Sequence, residues 1–182
     1  MYGIVNIALE QLIIEENGNE FWDMIKNKAG YEDLVFSYME SYEDDITEKL
    51  VSVASMELGI TEEELLERFG TYWVIKTAQK SYAHFFKMGG KNVREFVTNL
   101  DHIHKRLSVS FQDIKAPQFD LLRETETSMT ITYTSERQAY LPLTIGLIKG
   151  LFLHFNEQGT VRATGKKIKH GIESDLIELT FN

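Results

Sequence analysis

The sequence predicts an α+β fold, in which a helical N-terminal lobe packs on a C-terminal lobe with an antiparallel sheet and helices. Helical periodicity and helix-ending glycines run through the first hundred or so residues. The segment SMTITYTSER then alternates with the period of two that is typical of a strand. With 182 residues and no internal repeat, we expect one domain over 1–182, with lobes of about 1–106 and 107–182.

The N-terminal lobe is predicted to begin with three helices that glycines end. They are expected over about 2–16, 21–28 and 45–58, before Gly18, Gly30 and Gly59 respectively. A fourth helix begins at Thr61 and Glu64, whose spacing fits a capping box, and runs through Trp73.

The next predicted helix carries the histidine of greatest interest. It begins at Asn92 and has an apolar stripe that runs from Val93 to Leu107. At 100° per residue, His104 lies about 40° from Leu100 on this stripe, whereas His102 lies about 200° away. We therefore expect His104 to point inward and His102 to point outward.

The C-terminal lobe is predicted from alternation that begins near Leu107. One strand face presents Met129, Ile131, Tyr133, Ser135 and Arg137. A helix with Pro142 in its first turn then reaches about Phe155. Two further strands are expected near 160–163 and 176–181.

Composition excludes several classes of function. The net charge of -9 gives no basic surface for nucleic acid. Without cysteine, neither a disulfide, a thiolate-bound metal nor a cysteine nucleophile is available. The opening residues lack the features of a signal peptide, and no stretch is apolar enough to span a bilayer, so we expect a cytoplasmic protein without a membrane span.

Taken alone, the candidate site residues are ambiguous. An inward-facing histidine is more often a core residue than a metal ligand. Tyr133, Ser135 and Arg137 could bind carboxylates, but an ordinary half-buried strand has the same appearance. Together they match haem, whose iron takes an axial imidazole and whose propionates take hydroxyl and guanidinium partners.

Several segments closely resemble the H-NOX family, the haem nitric oxide/oxygen binding domain of bacterial sensors and soluble guanylate cyclase. They are MYGIVNIALE, NVREFVTNLDHIH, KAPQF and YTSER. The resemblance implies haem b, held without covalent attachment and buried between the lobes. His104 takes the place of the axial iron ligand, and Tyr133, Ser135 and Arg137 that of the propionate-binding triad. Pro117 matches the proline that distorts the haem.

The resemblance also bears on which gas binds. Dioxygen-binding members have a tyrosine where this chain has Leu143, and a polar aromatic residue where it has Leu9, so neither position can donate a hydrogen bond. Val5 and Leu147 complete the predicted haem contacts. Nitric oxide is therefore the expected ligand, with carbon monoxide weaker. Trp73 keeps open a dioxygen sensor with an indole donor, and Tyr140 is expected at the surface.

The expected mechanism is mechanical and not enzymatic. Nitric oxide weakens the iron bond to His104, relaxes the haem near Pro117 and shifts the N-terminal helices, with contacts changing at Ile4, Val5 and Leu9. The output is expected to pass from a monomer to a separate effector, such as a histidine kinase or a cyclic-dinucleotide enzyme. A small-ligand binding module without iron is the main alternative, and haem-dependent peroxide or oxygen chemistry ranks third.

Overall fold

In a computed structural model the chain has an α+β fold, as predicted. The structure describes residues 1–79, 82–110 and 115–182. Their contacts group into two compact units, Met1–Phe69 and Gly70–Asn182. The division into lobes near residue 107 stays a prediction.

The first unit is helical. It contains α1 (Gly3–Asn17), α2 (Asn19–Ala29), α3 (Asp44–Leu58) and most of α4 (Glu62–Tyr72). The three predicted glycines follow α1, α2 and α3 with φ values of 89°, 81° and 67°, which confirms their role as helix ends. The Thr61 hydroxyl accepts a hydrogen bond from the Glu64 amide at 3.1 Å, so half of the predicted capping box is present.

The helices of the second unit differ from the prediction in one place. After a π-helical turn (Trp73–Ala78) come α5 (Ala83–Gly89), α6 (Val93–Thr98) and α7 (Leu100–Ser110). A single helix was expected from Asn92 to Leu107, but it breaks at Asn99. The Asn99 side chain donates to the Gly89 carbonyl at 2.8 Å, and its ψ of 1° ends α6 before α7 begins.

The sheet has the order β1-β2-β4-β3 in the described part of the chain, and all its pairs are antiparallel. Its strands are β1 (Gln118–Glu124), β2 (Ser128–Thr134), β3 (Gly159–Lys169) and β4 (Ile172–Phe181). A 3-10 turn (Gln138–Tyr140) and α8 (Leu141–Phe155) connect β2 to β3, with Pro142 in the first turn of α8 as predicted.

Two boundaries of the strand prediction are wrong. The alternation expected from Leu107 fails because α7 continues to Ser110, and residues 111–114 lie outside the described residues. The strand expected to reach Arg137 ends at Thr134, because the Ser135 hydroxyl accepts the Arg137 amide at 3.0 Å and turns the chain. Ser135 and Arg137 therefore follow the strand.

Inner faces of the sheet and the helices form the core of the second unit. Its most buried side chains include Val93, Met129, Ile148, Ile177 and Leu179. Among the described residues, no helix combines the length and the apolar character needed to cross a bilayer.

Candidate functional site

The predicted axial histidine lies on the inner side of α7. His104 is half-buried and His102 is exposed, as the helical phase predicts. On the same stripe, Ile103 belongs to the core of the second unit and Leu107 packs against that core. The stripe therefore directs the His104 imidazole toward apolar surroundings.

The protein leaves the His104 imidazole incompletely satisfied. Burial lowers the pKa of His104, against opposing effects of the Pro117 main chain and the Asp101 carboxylate, which raise it. Nδ1 is buried and has no hydrogen-bond partner among the described residues. A neutral imidazole keeps the lone pair that a metal ligand needs.

Two tilted aromatic contacts join His104 to the strand that carries Tyr133. The ring centroids of His104 and Phe119 are 5.9 Å apart, and those of Phe119 and Tyr133 are 5.6 Å apart. Phe119 and Tyr133 are also partners in the β1/β2 register. The Phe119 amide donates to the Asp101 carboxylate at 3.1 Å, three residues before His104, which ties β1 to the first turn of α7.

Phe119 is the residue that the sequence analysis missed as part of the site. It is the last residue of the segment KAPQF, where no strand was predicted. The other six residues of β1 are exposed, so its sequence lacks the alternation that predicts a strand. Only the short distance in sequence from Pro117 to Phe119 could have indicated it.

The predicted propionate-binding residues form a buried tyrosine followed by a turn. Tyr133 is buried near the end of β2, whereas Ser135 and Arg137 are half-buried beyond it. The Ser135 hydroxyl holds the Arg137 amide, so the two residues lie close together. The structure thus places Tyr133 against the Phe119 ring that contacts His104, and it fixes Ser135 against Arg137.

Three residues that were predicted to contact haem, Trp73, Leu143 and Leu147, lie where α8 crosses the end of α4. A Cβ on Gly70 would come within 2.2 Å of the Leu143 carbonyl oxygen, so this glycine permits close approach. The Thr71 hydroxyl donates to the Gly146 carbonyl at 3.1 Å. Trp73 begins the π-helical turn immediately afterwards, and both Trp73 and Leu147 pack on the core. The crossing therefore fixes the Trp73 segment against the Leu143–Leu147 turn.

A model of the family described as Haem-NO-binding matches residues 2–163. The chain belongs to this family, the H-NOX domains. Its members are haem-based gas sensor modules, which agrees with the half-buried histidine and the aromatic rings beside it.

Soluble guanylate cyclases match most or all of this chain. Soluble guanylate cyclase gcy-31 of Caenorhabditis elegans is 24% identical over 100% of the chain but only 26% of its own length. Gcy-37 of the same organism is 27% identical over 82% of the chain and 22% of its own length. The chain thus spans about a quarter of the length of these curated relatives.

Solved H-NOX structures share the fold. The Fe(II) unliganded H-NOX protein from K. algicida has a TM-score of 0.84 and 24% identity, over 100% of this chain and 97% of that one. A Cs H-NOX variant with 4-cyano-L-phenylalanine has a TM-score of 0.86 and 21% identity, over the same shares of the two chains. The match confirms the predicted fold class.

The residues of this H-NOX chain fit a haem on the side of α7. His104 offers a buried nitrogen that no group of the described residues satisfies. Tyr133 and the Ser135–Arg137 turn offer a phenol, a hydroxyl and a guanidinium, which are suitable donors for carboxylates. These donors match a ligand with one metal and two acidic groups.

Three further predicted residues lie elsewhere. Val5 and Leu9 belong to α1 in the first unit, where Leu9 is fully buried and Val5 is half-buried, and their contact with haem stays a prediction. The prediction that Tyr140 lies at the surface is wrong. It ends the 3-10 turn, its carbonyl accepts the Thr144 hydroxyl at 3.4 Å, and its ring is buried.

Proposed function

We propose that this chain senses nitric oxide at a ferrous haem b whose iron is bound by His104. Tyr133, Ser135 and Arg137 hold the propionates, and Pro117 presses on the ring. The observation that carries the proposal is the buried Nδ1 of His104, which has no hydrogen-bond partner among the described residues. The His104 ring contacts Phe119, which in turn contacts Tyr133. When bound, the haem supplies the iron at which a diatomic gas binds.

Selectivity for nitric oxide rests on the lack of donors at two predicted positions. Leu9 and Leu143 have apolar side chains and cannot stabilise the partial negative charge of bound dioxygen. Nitric oxide needs no such help, and carbon monoxide is proposed as a weaker ligand.

The second candidate function is dioxygen sensing with Trp73 as the donor. It is supported by the position of Trp73 at the start of a π-helical turn, a rare geometry that often occurs at functional sites. Comparing the reduced protein with Trp73→Phe in air separates the two functions. Nitric oxide selectivity predicts that neither protein forms a stable dioxygen complex, whereas a complex that only the wild-type protein forms would favour the second function.

We propose that the chain itself is not an enzyme and that, as a cytoplasmic monomer, it signals to a separate effector. A histidine kinase or a cyclic-dinucleotide enzyme is the proposed class of effector. The guanylate cyclases among its relatives are several times longer, and their activity is not assigned to this chain.

An absorption spectrum of the purified, reduced protein tests haem binding. We expect a Soret band that persists through gel filtration and shifts when nitric oxide is added. A protein that elutes without the band after incubation with excess hemin would refute the proposal and leave the small-ligand module without iron.

A further inference from the structure

The connection between α2 and α3, residues 30–43, exposes three large apolar side chains within five residues. Val35 is 82% exposed, Tyr38 45% and Met39 59%. We call these three residues the apolar patch. Exposed side chains of this size at one place often mark an interaction site.

The loop beneath the apolar patch is well ordered by its own contacts. Phe36 is buried and meets the Tyr42 ring edge-on, with centroids 5.1 Å apart. The Tyr42 hydroxyl accepts the Ser37 amide at 2.9 Å. These contacts within the loop fix the backbone that carries the apolar patch.

The same loop also caps the first turn of α1. The Gly3 amide donates to the Glu40 carbonyl at 2.8 Å, and the Ile4 amide donates to the Tyr38 carbonyl at 3.2 Å. These amides belong to the first turn, whose N–H groups have no partner within the helix. A Cβ on Gly3 would lie 2.0 Å from the Ser37 carbonyl oxygen, so the loop and α1 touch directly.

The sequence around the patch is mainly acidic, although the Lys26 ammonium donates to the Glu32 carbonyl at 3.4 Å. Seven carboxylates and no lysine or arginine lie between Lys28 and Lys49. Asp44 pairs with the amino group of Met1 at 2.8 Å. Within the described residues, no ion pair joins the carboxylates of Glu32, Asp33 or Glu43 to a cation. Exposed apolar side chains in a mainly acidic segment match a partner that carries apolar side chains flanked by lysine or arginine.

We propose that the apolar patch is the docking surface for a basic, amphipathic segment of an effector protein. Since Tyr38 supplies both a patch side chain and the carbonyl that caps Ile4, a shift of α1 alters the surface that the partner meets. This second step rests on the proposed gas sensing, because it requires α1 to respond to the haem ligand. Docking itself does not depend on haem.

The test is fluorescence anisotropy with a labelled peptide of about 18 residues that alternates pairs of leucine and lysine in helical spacing. The protein is the full chain, in its ferrous and nitric oxide-treated forms. Val35→Ser with Met39→Ser is the test variant. Val109→Ser with Met56→Ser is the matched control, because these residues are of the same types and are 79% and 73% exposed.

We expect the peptide to bind the wild-type protein and the control variant equally, and the test variant about tenfold more weakly, since two apolar contacts are lost. Affinity should fall as salt rises, and a peptide with glutamate in place of lysine should not bind. Nitric oxide should change the affinity by about threefold or more.

Equal weakening of both variants, or binding of the glutamate peptide, would overturn the docking surface. The docking surface would also be overturned if sedimentation shows that the wild-type protein dimerises and the test variant does not. In that case a second copy of the chain covers the patch. Equal affinity with and without nitric oxide, while the Soret band shifts, would overturn the coupling to α1. If the protein takes up no haem, the proposed function fails. The peptide measurements on the haem-free chain still show whether the apolar patch is a docking surface.

Discussion

Replacing Phe119 with leucine should weaken both the fold and the grip on haem. Phe119 makes one ring contact with His104 and one with Tyr133, at 5.9 and 5.6 Å between centroids. Leucine keeps most of the apolar surface but loses both contacts. At about 0.5–1.5 kcal/mol for each aromatic pair, the free energy of unfolding should fall by about 1–3 kcal/mol.

Phe85→Leu provides a matched control elsewhere in the second unit. Phe85 also contacts one tyrosine and one histidine, with centroids 6.1 Å from Tyr82 and 6.0 Å from His84. Its loss should cost a similar free energy of unfolding, measured by urea denaturation of the haem-free chain. The control therefore separates general destabilisation from an effect on the site.

Transfer of haem to an excess of a haem-binding scavenger protein measures the effect on the site. We expect haem to leave Phe119→Leu about tenfold faster than the wild-type protein, which corresponds to about 1.4 kcal/mol, and to leave Phe85→Leu at the wild-type rate. Equal rates for the two variants at equal loss of stability would refute the idea that Phe119 positions His104.

Three other substitutions test particular features of the structure. Burial raises the pKa of Glu10 from 4.5, against the opposing effect of Lys26. A raised folded-state pKa means that the stability of the fold falls as pH rises through it and Glu10 ionises. Glu10→Gln should therefore raise the thermal midpoint at pH 7 but not near pH 4. A gain in the thermal midpoint near pH 4 but not at pH 7 would contradict this. Thr47→Val should cost about 1–3 kcal/mol in urea denaturation, because the buried Asn6 amide oxygen loses its 2.7 Å partner; Thr47→Ser keeps the hydroxyl and should cost clearly less. Gly159→Ala should cost about 2–4 kcal/mol, since its Cβ would lie 2.1 Å from the Thr180 carbonyl oxygen. A variant within about 0.5 kcal/mol of the wild-type protein would show that β3 and β4 can separate without strain.

The sequence predicted the helices best where local signals agree with packing. Gly18, Gly30 and Gly59 end helices because their positive φ values suit glycine. The break at Asn99 was missed because it depends on the Gly89 carbonyl, which is ten residues away. Periodicity continues through the break, so the pattern alone gives no sign of it.

For the site, periodicity predicted the orientation of His104 but not its surroundings. The ring contacts of Phe119 with His104 and Tyr133 depend on the pairing of β1 with β2, and β1 is an edge strand with little apolar pattern. The turn that fixes Ser135 against Arg137 was taken as strand because alternation of side chains continues in the sequence after hydrogen bonding stops. The burial of Tyr140 was likewise invisible, because a single tyrosine before a helix start gives no period.

The absorption spectrum of His104→Gly tests the central claim most directly. The reduced variant should retain little haem in buffer and should regain the wild-type Soret band when imidazole is supplied, because the added base replaces the missing ligand. His102→Gly, with its exposed side chain, serves as the control and should match the wild-type protein. A His104→Gly protein whose Soret band equals that of the wild-type protein without imidazole would contradict the account.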